Sequence, residues 1–331
     1  TASSWRPDLW LILAMAALLA VLFYLVVSEQ SFGLGFPLDD SWIHLTYARN
    51  LAEHGEWAFR LGERSAGSTS PLWTSLLSIG FFLDLAPYVW TYLLGWVVLT
   101  LLAVYAEDLA RKLVPSYRSK IPWAGLFFVF AWHLSWSAVS GMETLLHALL
   151  ILAVLGALLT GSRRYLMLGL LTGLSVWVRP DGMTLLGPIF FVVLLSEKSW
   201  QLRNEALWKT LLGFGSLFFP YILFNLALSG NAMPNTFYAK QAEYELFWQS
   251  KPLLERIGDY LAPILASPFL VLIPGAWIWL IKKIRAQDWG VLASLIWVVG
   301  YIAIYFASLP AYQHGRYIIP ALPVMYVWGI I

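Results

Sequence analysis

The chain has 331 residues, of which 60% are hydrophobic and only 12% are charged, and its net charge is +2. This composition excludes a soluble globular domain, because the long uncharged runs are those of helices that cross a bilayer. The small net charge and the lack of a basic tract argue against nucleic acid as a partner, and the absence of cysteine excludes disulfides and thiolate metal sites. We therefore expect a multi-span membrane protein that has membrane lipids as partners.

The predicted elements begin with an apolar anchor over 9–27, which is too long for the apolar region of a signal peptide. Further spans are predicted near 87–106, 121–139, 144–160, 165–178, 182–196, 207–228, 261–281, 289–307 and 317–331. Pro263, Pro268 and Pro274 are expected to kink the span at 261–281. The sequence thus predicts one all-α polytopic domain over 1–331, with about ten transmembrane helices, and we expect the protein to continue beyond residue 331.

The orientation depends on residues 71–85, an apolar but short segment. If this segment does not cross the membrane, 13 of the 21 Lys and Arg residues lie in loops on one side: Arg6, Arg111, Lys112, Arg118, Lys120, Arg163, Arg164, Lys198, Arg203, Lys209, Lys282, Lys283 and Arg285. The positive-inside rule then makes that side cytoplasmic. We therefore expect a cytoplasmic N-terminus, a juxtamembrane or re-entrant helix over 71–85, and extracytoplasmic loops over 28–86 and 229–260.

Two adjacent carboxylates, Asp39 and Asp40, follow the first span in the sequence PLDDSWIH. Asp39 is predicted to be the N-cap of a helix, whose dipole favours ionised acids at this end. Apolar residues recur at helical spacing from Trp42 to Ala52, which predicts an amphipathic helix lying along the bilayer surface. The alternative interpretation of the two acids is a solvated helix cap.

Three further loops on the same predicted face carry isolated charges. Glu143 lies in a short turn between two spans, where it is either a solvated acid or a ligand for a metal or a sugar hydroxyl. Arg179 and Asp181 lie in the tight turn RPDG, where they either pair with each other or line a cavity. Arg316, beside Gly315, has the planar fork suited to a phosphate, or else binds a lipid head group.

The loop over 229–260 opens with Pro234, after which Asn235 and Thr236 are predicted to cap a helix that carries Lys240. Lys240 either pairs with Glu243 or provides a point charge for phosphate. Three histidines complete the candidates. His44 is close to the acidic pair, whereas His133 and His147 lie inside spans and are expected to be hydrogen-bond partners between helices.

Six segments, in chain order, together resemble the GT-C glycosyltransferases, and most closely the mycobacterial terminal arabinofuranosyltransferases and their bacterial relatives. The segments are the acidic pair, GSTSPLW over 67–73, SGMET over 140–144, RPDG over 179–182, PNTFYAK over 234–240 and GRY over 315–317. The resemblance implies an enzyme that takes a sugar from a polyprenyl-phosphate carrier on the outer membrane face. It also implies seven spans before a large outer loop, and many relatives carry a soluble C-terminal domain.

By this resemblance Asp39 is expected to be the general base of an inverting transfer, with Asp40 orienting substrate or metal. Lys240 and Arg316 are expected to bind the donor phosphate, with a divalent cation (Mg, Mn or Ca) as a possible cofactor held by Asp40 and Glu143. Further residues expected to contact substrate or metal are Arg179, Asp181, His44, Asn235 and Tyr238. The sugar is arabinofuranose or another pentose or hexose, and the acceptor is a glycan, lipid or protein. A lipid-linked glycan ligase and a transporter of lipid-linked sugars are the alternatives.

Overall fold

The structure is a computed structural model that describes residues 7–236, 238–239, 248, 250–311 and 315–331. Its helices are α1 (Pro7–Ser31), α2 (Asp39–His54), α3 (Pro71–Phe82), α4 (Pro87–Leu113), α5 (Trp123–Phe130), α6 (Trp132–Val139), α7 (Thr144–Leu159), α8 (Tyr165–Val178), α9 (Leu186–Ser196), α10 (Trp200–Ser229), α11 (Leu253–Leu265), α12 (Phe269–Arg285), α13 (Trp289–Ser308) and α14 (Leu322–Ile330). Short 3-10 helices at Pro180–Leu185 and Ile319–Ala321 precede α9 and α14, and a two-stranded antiparallel hairpin, β1 (Ala58–Arg60) and β2 (Glu63–Arg64), follows α2.

The chain is a multi-pass, largely helical membrane protein, but ten spans are not confirmed. Within the described residues, four helices are long and apolar enough to cross a bilayer, namely α1, α4, α10 and α13. A fifth is obtained if the bent pair of α11 and α12 is counted as one span. The predicted spans at 144–160 and 165–178 form the helices α7 and α8, whose 16 and 14 residues are short for a hydrocarbon core of about 30 Å.

The predicted span at 261–281 is bent more sharply than a kinked helix. Two helices, α11 and α12, meet there at 92°. Pro268 stands at the N-cap of α12, and the residue before a proline is disfavoured in helical geometry, so the chain changes direction at this point. Pro263 and Pro274 lie inside α11 and α12 without ending them.

The loop after α1 folds as a small unit of its own, built from α2, the hairpin and α3. Because α3 has only 12 residues, it is about 18 Å long and cannot span the membrane, in agreement with the juxtamembrane prediction. The N-cap of α2 is Leu38 and not Asp39, which is the first helical residue. The predicted apolar face is also wrong in part, because α2 packs on α3 with Leu45 and Ala48 in a buried cluster, whereas Trp42 is 44% exposed.

Helices α8 and α10 pack closely against each other. The Cβ that a side chain would add at Gly169 of α8 would lie 2.1 Å from the carbonyl oxygen of Thr210 in α10. Likewise, a Cβ at Gly213 of α10 would lie 2.3 Å from the carbonyl oxygen of Leu166. The two backbones therefore touch, as small residues allow in membrane bundles. This contact fixes the C-terminal end of α8, where Arg179 and Asp181 follow.

Candidate active site

Charged loops that are far apart in the sequence meet around one cavity of about 190 Å³. It lies between the start of α2, the turn from α6 to α7, the turn after α8, the C-terminal end of α13 and the segment before α14. Its lining residues are Asp40, Thr69, Met142, Glu143, Arg179, Pro180, Asp181, Thr184, Thr236, Tyr301, Ile304, Tyr305, Ser308, Leu309, Arg316 and Tyr317. One wall is thus charged, and the other is aromatic and aliphatic.

Asp40, in the first turn of α2, contacts Arg316, in the segment before α14. Oδ2 of Asp40 lies 2.8 Å from Nη1 of Arg316, and the two side chains are only 17% and 7% exposed. The Nη2 group of Arg316 donates a hydrogen bond to the Tyr317 hydroxyl at 3.0 Å. Gly315, with φ +75°, allows the sharp turn that brings Arg316 into the cavity, because this conformation strains residues with a Cβ.

Glu143 is a buried carboxylate with a partner on each oxygen. Nη1 of Arg179 donates to its Oε1 at 3.0 Å, and Nε2 of His44 lies 3.2 Å from its Oε2. The Nδ1 atom of His44 is within hydrogen-bond distance of the hydroxyls of Ser68 and Thr74, at 3.0 and 3.2 Å. His44 therefore lies behind Glu143 and connects the cavity to the loop between β2 and α3.

Asp181 is the second buried carboxylate and collects four partners. Nε of Arg179 donates to its Oδ1 at 3.3 Å, and Nε2 of His147 lies 3.4 Å from the same oxygen. Its Oδ2 accepts hydrogen bonds from the hydroxyls of Tyr301, at 2.8 Å, and Tyr305. Arg179 is thus held between two acids, each of which is backed by a histidine.

The cations keep both acids ionised. Burial alone raises the pKa of Glu143, but the hydrogen bond from His44 and the charges of His44 and Arg179 lower it by more, so the net pKa lies well below its usual range. For Asp181, burial likewise raises the pKa, and Arg179, His147 and Tyr305 together bring it well below its usual range. Both carboxylates therefore carry charge at neutral pH.

The two guanidinium groups lie near the same tyrosine ring, that of Tyr317. The Cζ atoms of Arg179 and Arg316 lie 5.4 and 4.9 Å from the centroid of the Tyr317 ring. Tyr317 in turn stacks on Tyr305, with centroids 5.0 Å apart and planes 19° from parallel. The stack gives both cations fixed positions at the cavity wall.

The remaining predicted residues divide into three groups. Asp39 is exposed, and its Oδ1 accepts a hydrogen bond from the backbone N–H of Asp40 at 3.0 Å. Asn235 and Tyr238 are also exposed, although the backbone N–H of Asn235 donates to the Ala66 carbonyl at 3.0 Å and so brings its neighbour Thr236 to the cavity. Lys240, with Glu243, lies outside the described residues.

Sequence reasoning missed four side chains of this site. His147 was expected only to bond a neighbouring helix, which it does through Ser175 at 3.2 Å, yet it also contacts Asp181. Tyr301, Tyr305 and Tyr317 were not singled out. The spacing of Trp297, Tyr301 and Tyr305 along one helix face could have identified two of them, because a tyrosine stripe inside a span needs polar partners.

The two carboxylates predicted to hold a metal, Asp40 and Glu143, both contact arginines. Both oxygens of Glu143 are engaged by Arg179 and His44, and Asp40 is paired with Arg316. In the part of the chain that the structure describes, no group of three or more His, Asp or Glu residues converges as a metal site would require. Asp40 and Glu143 therefore neutralise arginines in this arrangement.

A second, apolar cavity of about 250 Å³ adjoins the charged one. The two share the lining residues Thr184, Tyr301 and Ile304. The adjoining cavity runs between α9 and α13, where Phe191 and Trp297 form walls, and Gly187 and Gly300 would meet nothing within 4 Å of an added Cβ. An apolar groove between α9 and α13 therefore lies beside the charged cavity.

No protein-family model matches the chain. Among curated proteins, it is 29% identical over 231 residues to the terminal beta-(1->2)-arabinofuranosyltransferase of Mycobacterium tuberculosis, which covers 62% of this chain and 35% of the relative. Among solved structures, it resembles ArnT from Cupriavidus metallidurans bound to undecaprenyl phosphate, with a TM-score of 0.65 and 17% identity over 96% of this chain and 59% of ArnT. The Archaeoglobus fulgidus oligosaccharyltransferase gives a TM-score of 0.64 and 12% identity over 99% and 50%.

These comparisons show that the chain has the fold of ArnT and of the archaeal oligosaccharyltransferase. The resemblance to the mycobacterial arabinofuranosyltransferase, inferred above from six motifs, is confirmed at the level of sequence. The chain spans about a third of the length of that relative and half to three fifths of the two solved structures.

Proposed function

We propose that this protein is an inverting glycosyltransferase that takes a sugar from a polyprenyl-phosphate donor and transfers it to an extracytoplasmic glycan, lipid or protein acceptor. The observation that carries the proposal is that the charged cavity, with its buried Arg316, lies beside an apolar groove between α9 and α13. A lipid-linked sugar phosphate has this combination of parts, because a charged head group is attached to a long hydrocarbon chain.

Arg316 is proposed to bind the donor phosphate. Its Nε and Nη1 groups have no hydrogen-bond partner of acceptable geometry among the described residues, although the side chain is only 7% exposed. Buried donors without acceptors are costly, and a phosphate oxygen would satisfy them with charge-assisted hydrogen bonds. The guanidinium also stabilises the negative charge that develops on the leaving phosphate. By the resemblance, Lys240 adds a second cation to this site.

Asp39 is proposed to be the general base. Asp40 contacts Arg316, so we assign it to that cation and not to the acceptor hydroxyl. Asp39 is exposed at the first turn of α2, one residue from the cavity, where an acceptor can approach from water. In the reaction, the acceptor oxygen attacks the anomeric carbon, its proton passes to Asp39, and the bond from that carbon to the phosphate oxygen breaks, with its electron pair leaving on phosphate.

The site is proposed to face the outside of the cell membrane. The charge distribution of the loops supports this orientation through the positive-inside rule. The α12 helix ends with Lys282, Lys283 and Arg285, which belong to the predicted cytoplasmic group. The choice of sugar rests on the mycobacterial relative, which is named an arabinofuranosyltransferase. We therefore propose arabinofuranose as the first sugar to test.

The test is transfer by the purified protein in liposomes that contain polyprenyl-phosphate arabinofuranose and an arabinan acceptor. We expect glycosylated acceptor and free polyprenyl phosphate to appear in equal amounts, with an inverted anomeric centre. Donors that carry other pentoses, hexoses or whole glycans distinguish a broader transferase or a ligase. Passage of the lipid-linked sugar across the bilayer without cleavage would indicate a transporter instead and reject the proposal.

A further inference from the structure

The contact between Asp40 and Arg316 is close but poorly directed. The 2.8 Å from Oδ2 of Asp40 to Nη1 of Arg316 brings opposite charges together. Nevertheless, Nη1 makes no hydrogen bond of acceptable geometry to a described residue, and neither does Nε. Asp40 therefore neutralises the guanidinium without satisfying its donors, so the pair gains attraction between charges and leaves a hydrogen-bonding penalty unrelieved.

A phosphate group would match the same guanidinium better. It has several oxygens around one centre and can accept two parallel N–H hydrogen bonds from the planar fork of an arginine, whereas one carboxylate oxygen meets Arg316 here. Tyr317 holds Nη2 by a hydrogen bond of 3.0 Å, so the guanidinium keeps its position when its partner is exchanged.

We propose that Asp40 is a positioning residue that occupies the phosphate place on Arg316 until the donor arrives, and that the donor phosphate displaces it. The inference rests on the proposed function, because it takes a lipid phosphate as the ligand of Arg316. Asp40 keeps a buried arginine neutralised in the substrate-free protein, which stabilises the cavity. The same contact lowers the affinity for the donor, because the phosphate has to compete with a carboxylate already in place.

The test is the affinity of the purified protein in detergent for undecaprenyl phosphate, measured by calorimetry. We expect Asp40→Asn to bind this lipid more tightly than the wild-type protein, with a Kd lower by about tenfold, the scale of one lost ion-pair competitor. Asp40→Ser is a second neutral variant, which can be measured if Asp40→Asn folds poorly. Glu53→Gln removes a charge elsewhere on α2 and is the matched control, with an unchanged Kd expected because that side chain is 51% exposed.

Two further arms separate the phosphate from the lipid chain. In an Arg316→Gln background, Asp40→Asn is expected to leave the Kd for undecaprenyl phosphate unchanged. Without the guanidinium of Arg316, the carboxylate and the phosphate no longer compete for the same partner. Undecaprenol lacks the phosphate, so the wild-type protein and Asp40→Asn should bind it with equal affinity. A wild-type protein that binds undecaprenyl phosphate while Asp40→Asn and Asp40→Ser bind it no better overturns the inference and leaves the proposed function standing. Failure of the wild-type protein to bind or use the donor rejects the proposed function itself.

Discussion

Two glutamate–arginine pairs, Glu107–Arg111 inside α4 and Glu143–Arg179 between the turns after α6 and α8, show that burial of charge does not by itself mark a functional site. Glu107 in the last turns of α4 pairs with Arg111, and its other oxygen accepts hydrogen bonds from the Tyr117 hydroxyl and the backbone N–H of Gly125, both at 3.2 Å. Its partners are thus close in sequence, and Glu107 is not among the residues that line the charged cavity.

Glu143 has a similar set of partners but a different setting. It is paired with Arg179, from a loop 36 residues away, and Arg179 also bonds Tyr305, a further 126 residues along the chain. Both Glu143 and Arg179 line the charged cavity. The comparison teaches that long-range convergence on an open cavity separates a candidate active site from a structural ion pair, although the two look alike in charge and exposure.

The largest expected effect belongs to Asp39. If it is the base, Asp39→Asn should lower the rate of sugar transfer by roughly 10²- to 10⁴-fold, the usual contribution of a general base, with little change in stability. The measurement is the initial rate in the liposome assay at saturating donor, with thermal unfolding as the folding control. Turnover within threefold of the wild-type rate would remove Asp39 from the mechanism.

The paired glutamates give a more direct comparison. Glu107→Gln removes the carboxylate partner of Arg111, and Glu143→Gln removes one of the two acids that contact Arg179. Each change should lower the free energy of unfolding, by up to about 3 kcal/mol. Only Glu143→Gln should also slow transfer, by about tenfold or more, because it releases Arg179 at the cavity wall. Rates and thermal midpoints of both variants decide the matter. Equal losses of activity in the two variants would mean that the cavity has no special role.

The smallest effect is the dependence of stability on acid. The pKa values of Glu143 and Asp181 are depressed in the folded protein, so each contributes stability above its unfolded pKa, near 4, that is lost as the pH falls from there toward the folded pKa. We expect the thermal midpoint to be insensitive to these groups between pH 7 and about pH 5 and to fall below about pH 4. In Glu143→Gln the loss below pH 4 should be smaller. If the thermal midpoint of Glu143→Gln falls below pH 4 as steeply as that of the wild-type protein, other carboxylates cause the acid sensitivity.

Much of the fold could be predicted because the bilayer imposes its own pattern on the sequence. The anchor at 9–27, the short helices at 144–160 and 165–178, and the juxtamembrane helix after Pro71 follow from apolar length and turn residues. The break between α11 and α12 did not follow, because a proline inside an apolar run permits either a kink or a sharp turn. Packing against the rest of the bundle selects between the two outcomes.

The sequence by itself determined the class of protein and the short turns that carry charges. SGMET, RPDG and GRY each set the local backbone conformation and place one or two charged side chains on it. Only the tertiary structure decided the partners. Arg179 could have paired with Asp181 alone, and instead it joins Glu143, Asp181 and Tyr305, while Arg316 contacts an acid from the other end of the chain. The physical reason is that a buried charge is stabilised by whatever opposite charge the fold brings within a few ångströms, and sequence distance has no part in that energy.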